Sequence, residues 1–126
     1  MLSMFDKELV RDILNQIFEA THKVSQRFEQ IDSVSDFTDS PTGMERLDSI
    51  CMLLIAIGES LKNVDKITDH SLFRQYPEID WKGAKGLRDI ISHHYFDIDA
   101  EEIYWVCEKH IPPLSETIQK MLSDLE

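Results

Sequence analysis

The stretch SPTGMERLDSICMLLIAIGESLKNVDK, residues 40–66, decides the fold. Its apolar residues recur at intervals of three and four positions, which is the period of one helix face. They are Met44, Leu47, Ile50, Cys51, Leu54, Ile57, Leu61 and Val64. Ser40 followed by Pro41 is typical of a helix start, because serine caps free amides and proline fits the first turn. The pattern predicts a helix that stops near residues 66–69, and Gly58 within it predicts close contact with a neighbouring helix.

The same helical period occurs on the N-terminal side of this stretch. Apolar residues from Phe5 to Ile31 recur every three or four positions and predict a long first helix. The polar run 33–42 predicts the loop that joins it to the second helix. Apolar residues cover a broad arc of both helices, whereas an amphipathic helix packed on one side needs a narrower one. Part of this surface is therefore expected to meet a second copy of the chain.

Two further helices are expected on the C-terminal side. After a short segment at 71–76, Asp80 is placed to cap a third long helix that runs through residues 81–91. Asp99, with an acidic residue three positions later, is typical of the start of a last helix. Proline removes a helical hydrogen bond and clashes with the preceding turn, so Pro112–Pro113 must kink or interrupt that helix.

These patterns predict a single domain over residues 1–126 that belongs to the all-α class. No alternation of apolar and polar residues typical of a strand is found, and no repeat. A chain of 126 residues fits one core of ordinary size. The expected architecture is an antiparallel four-helix bundle with a short extra helix, and a homodimer is expected.

Charge and hydropathy limit the classes of function. Thirteen Lys and Arg residues stand against twenty-four Asp and Glu residues, a formal charge of -11. Taken as a whole, such a surface repels nucleic acid and anionic membranes. The N-terminus lacks the basic and apolar regions of a signal peptide, and the longest uncharged apolar run, Ile50 to Gly58, is too short to cross a bilayer. A cytoplasmic protein without a membrane partner is expected.

Cysteine and histidine residues give no metal-binding pattern. Cys51 and Cys107 fall among apolar residues and are expected to act as buried apolar side chains rather than to form a disulfide. His22, His70 and His110 lie apart in the sequence and form no constellation. Because the Cys and His spacings fit no zinc template, no metal and no other cofactor is expected.

The charge reverses in the stretch WKGAKGLRDIISHHY, residues 81–95. It holds three cations, one acid and two of the five histidines, which gives +2 and leaves -13 for the rest of the chain. On a helical wheel of about 100° per residue, Leu87, Ile90 and Ile91 define a buried face, and His94 falls in its middle. The opposite, polar arc consists of Lys82, Lys85, Arg88, Asp89, Ser92, His93 and Tyr95. The wheel thus separates two adjacent histidines.

The residue types on the polar arc suit phosphate chemistry. Histidine transfers protons near neutral pH, and the planar Arg88 guanidinium suits phosphate oxygens. Asp89 lies four positions before His93, within reach on a helix, so its carboxylate is expected to orient that imidazole and favour its protonated form. On the wheel Arg88 and His93 are about 140° apart, and a two-fold dimer that apposes two copies of this helix can bring them into one cleft. Surface Arg, Asp and His more often form solvated ion pairs, so spacing alone leaves a catalytic role open.

Residues 88–95, RDIISHHY, are similar to the Arg-x-x-x-x-His-x-Tyr motif of the HepT branch of the HEPN superfamily. Four other segments also resemble that family, and the resemblance covers most of the chain. They are Ile57–Glu59, Tyr76–Trp81, Tyr95–Asp99 and Ile111–Leu114.

The resemblance implies an all-α homodimer with a metal-independent RNase site at the dimer interface. HepT-like proteins are toxins of bacterial and archaeal toxin–antitoxin pairs of type VII, and their partner is a minimal nucleotidyltransferase antitoxin. The partner transfers AMP from ATP to the motif tyrosine and silences the toxin. Carried onto this sequence, Arg88 and His93 are catalytic, Asp89 and Ser92 support the site, and Tyr95 accepts AMP.

The implied reaction is attack of the ribose 2'-hydroxyl on the adjacent phosphate, which needs no metal. The product is a 2',3'-cyclic phosphate, and Lys82 and Lys85 are expected to contact RNA phosphates. Asp89 stands where the family often has Asn, and its charge opposes an incoming phosphate. Asp89 and the acidic exterior keep a second hypothesis open, a catalytically weak or inactive helical module that engages a nucleotidyltransferase. A third, a nucleotide-binding domain, rests on the basic arc alone.

Overall fold

Two long antiparallel helices are central to the computed structural model, which describes residues 4–92, 96 and 98–126. They are α1 (Met4–Phe28) and, after a short α2 (Ser35–Thr38), α3 (Pro41–Ile67). Arg27, near the end of α1, donates to the backbone carbonyl of Ser49 near the start of α3 at 3.3 Å, which fixes the antiparallel order. Both predicted helices are confirmed.

The segment that precedes α3 differs from the predicted loop in one respect. Its residues 35–38 form α2, because Phe37 is fully buried and draws the backbone onto the core. The start of α3 is as predicted: the Ser40 hydroxyl accepts a hydrogen bond from the Gly43 amide at 3.0 Å. A Cβ at Gly43 would overlap the Asp36 carbonyl oxygen, so only glycine lets α3 pass α2 this closely.

Six further helical segments complete the described chain. A 3-10 turn (Phe73–Gln75) precedes α4 (Trp81–Lys85), α5 (Leu87–Ser92), α6 (Ala100–Trp105), a π-helical turn (Val106–His110) and α7 (Ile111–Asp124). Helix α7 runs antiparallel to α1, since Arg11 donates to the Leu125 carbonyl at 2.8 Å and the Thr21 hydroxyl donates to Ser115 at 3.1 Å. The four principal helices of the bundle are α1, α3, α4–α5 and α6–α7, and the described ranges contain no strand. The all-α class is confirmed.

The sequence predicted one continuous third principal helix. In the structure this helix breaks at Gly86. Asp80 caps α4 as expected, accepting from the Gly83 amide at 3.0 Å. Gly86, at φ -84° and ψ -1°, is the C-cap of α4, and α5 starts at Leu87. Glycines at 83 and 86 weaken the helix because they have the lowest propensity after proline. The break divides the segment into a five-residue α4 and a separate α5.

The last principal helix begins and is interrupted as predicted. The Asp99 carboxylate accepts from the Glu102 amide at 3.1 Å and caps α6. The π-helical turn Val106–His110 lies immediately before Pro112–Pro113, which start α7 in its first turn. A wider turn accommodates the carbonyls that the two prolines leave without helical donors.

The two cysteines lie in the core of the bundle. Cys51 and Cys107 are free thiols, 3% and 4% exposed. Burial raises the pKa of both to about 12, and Asp48 adds to the effect on Cys51. No helix within the described ranges is long and apolar enough to cross a membrane.

Candidate functional site

The basic segment α4–α5 packs closely across the second half of α3. A Cβ placed on Gly58 of α3 would lie 3.3 Å from the Ala84 carbonyl oxygen and 3.5 Å from the Arg88 amide nitrogen. A larger side chain at position 58 would push the two helices apart. The close contact predicted for Gly58 is therefore confirmed, and its partner is the segment that carries Arg88.

Two ion pairs join α3 to the start of α5, one with the acid on α3 and the other with the base on α3. The Arg88 Nε lies 3.1 Å from Oε1 of Glu59, and both side chains are about half exposed, 51% and 49%. Lys62 Nζ lies 3.9 Å from Oδ2 of Asp89, again between exposed side chains. Exposed pairs of this kind contribute about 0–1 kcal/mol. Breaking the contact between Glu59 and Arg88 therefore costs little free energy.

A buried carboxylate holds the end of α4 against α3. Asp65, whose side chain is 8% exposed, accepts a hydrogen bond from the Lys85 ammonium at 2.8 Å. The same Oδ2 oxygen lies 2.8 Å from Nδ1 of His70. His70 and Asp69 both have positive φ, 62° and 51°, in the turn that ends α3. This turn brings the imidazole back to the carboxylate, so His70 has a partner that sequence spacing did not reveal.

The Asp65 pKa reflects these contacts. Burial alone raises it, but the hydrogen bonds from Lys85 and His70 and their charges outweigh burial and hold the pKa below its usual 3.8. Asp65 is therefore ionised at neutral pH and attracts Lys85. The predicted role of Lys85 as a phosphate contact stays a prediction, since an RNA phosphate has to compete with this carboxylate.

Replacing Asp65 with asparagine is expected to lower the free energy of unfolding by about 2 kcal/mol at neutral pH, because charge-assisted hydrogen bonds are lost. The folded-state pKa lies below the unfolded one, so the stabilisation is present above the unfolded pKa and lost as pH falls through the folded value. The difference between wild type and Asp65→Asn should thus shrink as the medium becomes more acidic than about pH 4. Urea unfolding at a series of pH values measures it.

The matched control for this prediction is Asp69→Asn, which removes the same charge from an exposed residue of the same turn. Asparagine tolerates positive φ, so the control leaves the turn geometry intact. Equal pH profiles for the two variants would contradict the role given to Asp65.

Of the other predicted site residues, some lie on α4–α5 and some lie outside the described residues. Lys82, Arg88 and Asp89 are exposed, as the wheel predicted. Ser92 is the last residue of α5. The predicted catalytic His93, the predicted AMP acceptor Tyr95 and the predicted packing residue His94 lie outside the described residues.

The predicted buried face of α5 needs one correction. Leu87 and Ile91 are buried, 7% and 4% exposed, but Ile90 is 37% exposed. The wheel assumed one continuous helix and a wide buried face. Because Leu87 and Ile91 already fill the contact of the short α5 with the core, Ile90 lies at the edge of that contact.

An open depression beside these ion pairs was not anticipated from the sequence. It has a volume of about 350 Å³ and is lined by Glu59, Ser60, Lys62, Asn63 and Lys66 of α3. Their spacing of three and four positions along α3 is that of a single helix face, and this was the signal available in the sequence. The sequence prediction placed the site's cations on α4–α5 only. Among the described residues, no three His, Cys, Asp or Glu side chains are grouped to hold a metal ion.

Comparison with known families gives the site its context. Residues 17–121 match the family model HepT-like, described as "Ribonuclease HepT-like". The chain belongs to this HepT-like ribonuclease family. The match extends from α1 to α7 and includes every residue of the candidate site, so the resemblance of residues 88–95 is confirmed at the level of the family.

Three curated relatives of this HepT-like chain carry ribonuclease names. A provisionally named RNase of Methanocaldococcus jannaschii, MJ0127, is 31% identical over 104 residues, which cover 78% of this chain and 83% of that protein. A "Probable ribonuclease HepT" of Thermococcus cleftensis is 26% identical, covering 88% of this chain and 94% of the relative. A provisionally named RNase of Caldanaerobacter subterraneus, TTE0752, is 28% identical with 89% and 93% coverage. No solved structure gives a significant match.

Proposed function

We propose that this HepT-like chain is a metal-independent endoribonuclease whose cleavage site is centred on Arg88 and His93. The observation that carries the proposal is the placement of Arg88: a permanently charged guanidinium, half exposed, at the start of α5 and held at 3.1 Å by Glu59. Membership of a ribonuclease family supports RNA as the substrate. The weak Glu59 pair presents the guanidinium at the surface while leaving it available to a phosphate.

In the proposed reaction, the ribose 2'-oxygen attacks the adjacent phosphorus. The new O2'–P bond forms as the P–O5' bond breaks, giving a 2',3'-cyclic phosphate and a free 5'-hydroxyl. His93 accepts the 2'-hydroxyl proton, and the leaving 5'-oxygen receives a proton from a second acid. Arg88 stabilises the charge that builds up on the phosphorane oxygens. Asp89 and Ser92 support His93, and Lys82 with Lys85 contact neighbouring phosphates.

A homodimer is part of this proposal, because an ideal helical wheel separates Arg88 from His93 by about 140°. A two-fold axis next to α5 gives one cleft both residues, and it supplies a second His93 as the acid. Surface apolar side chains support such an interface: Met52 of α3 is 73% exposed, and Ile90 of α5 is 37% exposed. Analytical ultracentrifugation of wild type and Met52→Glu tests it, with the variant expected to shift towards monomer.

We further propose that the protein is the toxin of a type VII toxin–antitoxin pair. A minimal nucleotidyltransferase antitoxin transfers AMP from ATP to the Tyr95 hydroxyl, releasing pyrophosphate. The added phosphate and adenosine obstruct the cleft and repel RNA. Intact mass of the protein co-expressed with its nucleotidyltransferase is expected to show discrete AMP increments that are absent from Tyr95→Phe.

The competing proposal is a catalytically weak or inactive module that binds a nucleotidyltransferase. One observation favours it: Glu59 and Asp89 place two carboxylates at the exposed pairs that contain Arg88 and Lys62. A protein that forms a stable complex with the nucleotidyltransferase but neither cleaves RNA nor accepts AMP would support this alternative.

Incubation of purified protein with RNA in EDTA tests the ribonuclease proposal. We expect cleavage to persist, with 2',3'-cyclic phosphate ends that acid opens to 2'- and 3'-monophosphates. Cleavage should also weaken steeply as salt rises, because phosphate contacts release counterions. Loss of activity in EDTA that Mg²⁺ restores, or products with 5'-phosphate ends, would contradict the mechanism.

A further inference from the structure

The exposed face of α3 next to Arg88 has the composition of an anion-binding surface. We call Ser60, Lys62, Asn63 and Lys66 the α3 strip. Together with Glu59 these residues line the depression of about 350 Å³. Lysine ammonium, asparagine amide and serine hydroxyl groups are all donors that proteins use to bind phosphate and sugar oxygens. Glu59, which contacts Arg88, marks the end of the strip nearest the proposed cleavage site.

The side chains of the two α3 strip cations make at most one weak contact with described residues, whereas several other cations are held by backbone carbonyls. Arg11, Arg27 and Arg46 donate to backbone carbonyls at 2.8, 3.3 and 3.1 Å. Lys66 is exposed, and no hydrogen bond or ion pair joins its side chain to another described residue. Lys62 has only the 3.9 Å contact with exposed Asp89. Such a contact is worth little, so Lys62 can turn to a phosphate.

The α3 strip extends along α3 from Glu59, the residue that pairs with Arg88. From residue 59 to residue 66, α3 rises by about 10 Å at 1.5 Å per residue. Lys62 and Lys66 are one turn apart on the same face, with Cβ atoms about 5–6 Å apart. At the rise of about 3.4 Å per nucleotide in a stacked strand, this length accommodates about three nucleotides. The chain as a whole carries a formal charge of -11, so an RNA that leaves the cleavage site meets repulsion over much of the remaining surface.

We propose that the α3 strip binds the phosphates of about three nucleotides that flank the cleaved bond, so that the substrate is an RNA of several nucleotides rather than a dinucleotide. The inference rests on the proposed ribonuclease function. It adds a binding site outside the motif of residues 88–95 and assigns Lys62 and Lys66 as phosphate contacts.

The experiment compares Lys62→Ala/Lys66→Ala with Lys23→Ala/Lys109→Ala, which removes two exposed cations from other parts of the chain. Both variants change the net charge equally. For an RNA of about eight nucleotides, the strip variant is expected to lose about tenfold in kcat/KM, mainly through KM. The slope of log affinity against log salt should become shallower by about 1.4, because two single-strand phosphate contacts are lost. For a dinucleotide the loss should be several-fold smaller, while the control variant cleaves both substrates as wild type does.

Every other result of this experiment either supports or overturns the proposed role of the α3 strip. Equal losses for the long and the short substrate, or losses no greater than in the control variant, would overturn the α3 strip. If the wild-type protein cleaves neither substrate, the ribonuclease proposal fails, and fluorescence anisotropy with a labelled RNA of about eight nucleotides then decides the inference. Weaker binding by the strip variant alone would support the α3 strip, and no difference between the two variants would overturn it.

Discussion

Arg88→Ala is expected to lower kcat/KM for RNA about 10²- to 10³-fold while the protein stays folded. The guanidinium is half exposed and its one described ion pair, with Glu59, is a surface pair of low worth. Removing it should therefore cost little stability. In the proposed transition state the same group faces a phosphorane, and loss of one charge-stabilising donor at such a place typically costs that much in rate. Initial rates on a short RNA in EDTA, with thermal unfolding of the same samples, measure both quantities.

Two matched variants sharpen this result. Arg74→Ala removes one exposed cation from the 3-10 turn and should retain wild-type cleavage. Arg88→Lys keeps the charge but replaces the planar fork with a single ammonium, so it should recover part of the rate and leave a deficit of about tenfold. Cleavage by Arg88→Ala at the rate of Arg74→Ala would show that Arg88 takes no part in the reaction.

His93→Ala is expected to lower kcat about 10²- to 10⁴-fold, since the variant lacks the group that moves the protons. His94→Ala is the control, because it removes an identical side chain one position away. The helical wheel places His93 on the arc with Asp89, whereas His94 falls with Leu87 and Ile91. Of the three residues that the wheel places on the face of His94, Leu87 and Ile91 are buried, whereas Ile90 is 37% exposed.

The effects on kcat, RNA affinity and unfolding temperature distinguish His93 from His94 further. His93→Ala should lower kcat and leave the affinity for RNA close to that of wild type, because phosphate contacts provide most of the binding. His94→Ala should leave kcat within a few-fold and lower the unfolding temperature, as expected for a packing residue. The reverse pattern would exchange the roles of the two histidines and require the α5 face to be reassigned.

Local sequence signals predicted the parts of the fold that depend on neighbouring residues. Ser40, Asp80 and Asp99 each cap a helix through an amide three positions later, as expected. Helical periodicity likewise placed α1 and α3, because burial of one face repeats every 3.6 residues. These features need no knowledge of which helices pack together.

Contacts between distant residues could not be predicted in the same way. The pairing of Glu59 with Arg88 and of Asp65 with Lys85 depends on how α3 crosses α4–α5, which periodicity does not determine. Gly58 predicted that another helix packs closely against α3, but not that this helix is α4–α5. For the candidate site, the sequence therefore predicted the exposure of Lys82, Arg88 and Asp89 but missed the α3 side chains that surround Arg88.

Because both native thiols are buried, a probe can be attached to a cysteine introduced at the surface. Cys51 and Cys107 are the only cysteines of the chain, and their buried thiols, with pKa values near 12, stay protonated at neutral pH. A maleimide or a spin label added under native conditions should therefore leave both unmodified. A single cysteine introduced at Met52, which is 73% exposed, becomes the one reactive position. Distances between two such labels would report directly on how two copies assemble, without first removing any native residue from the core.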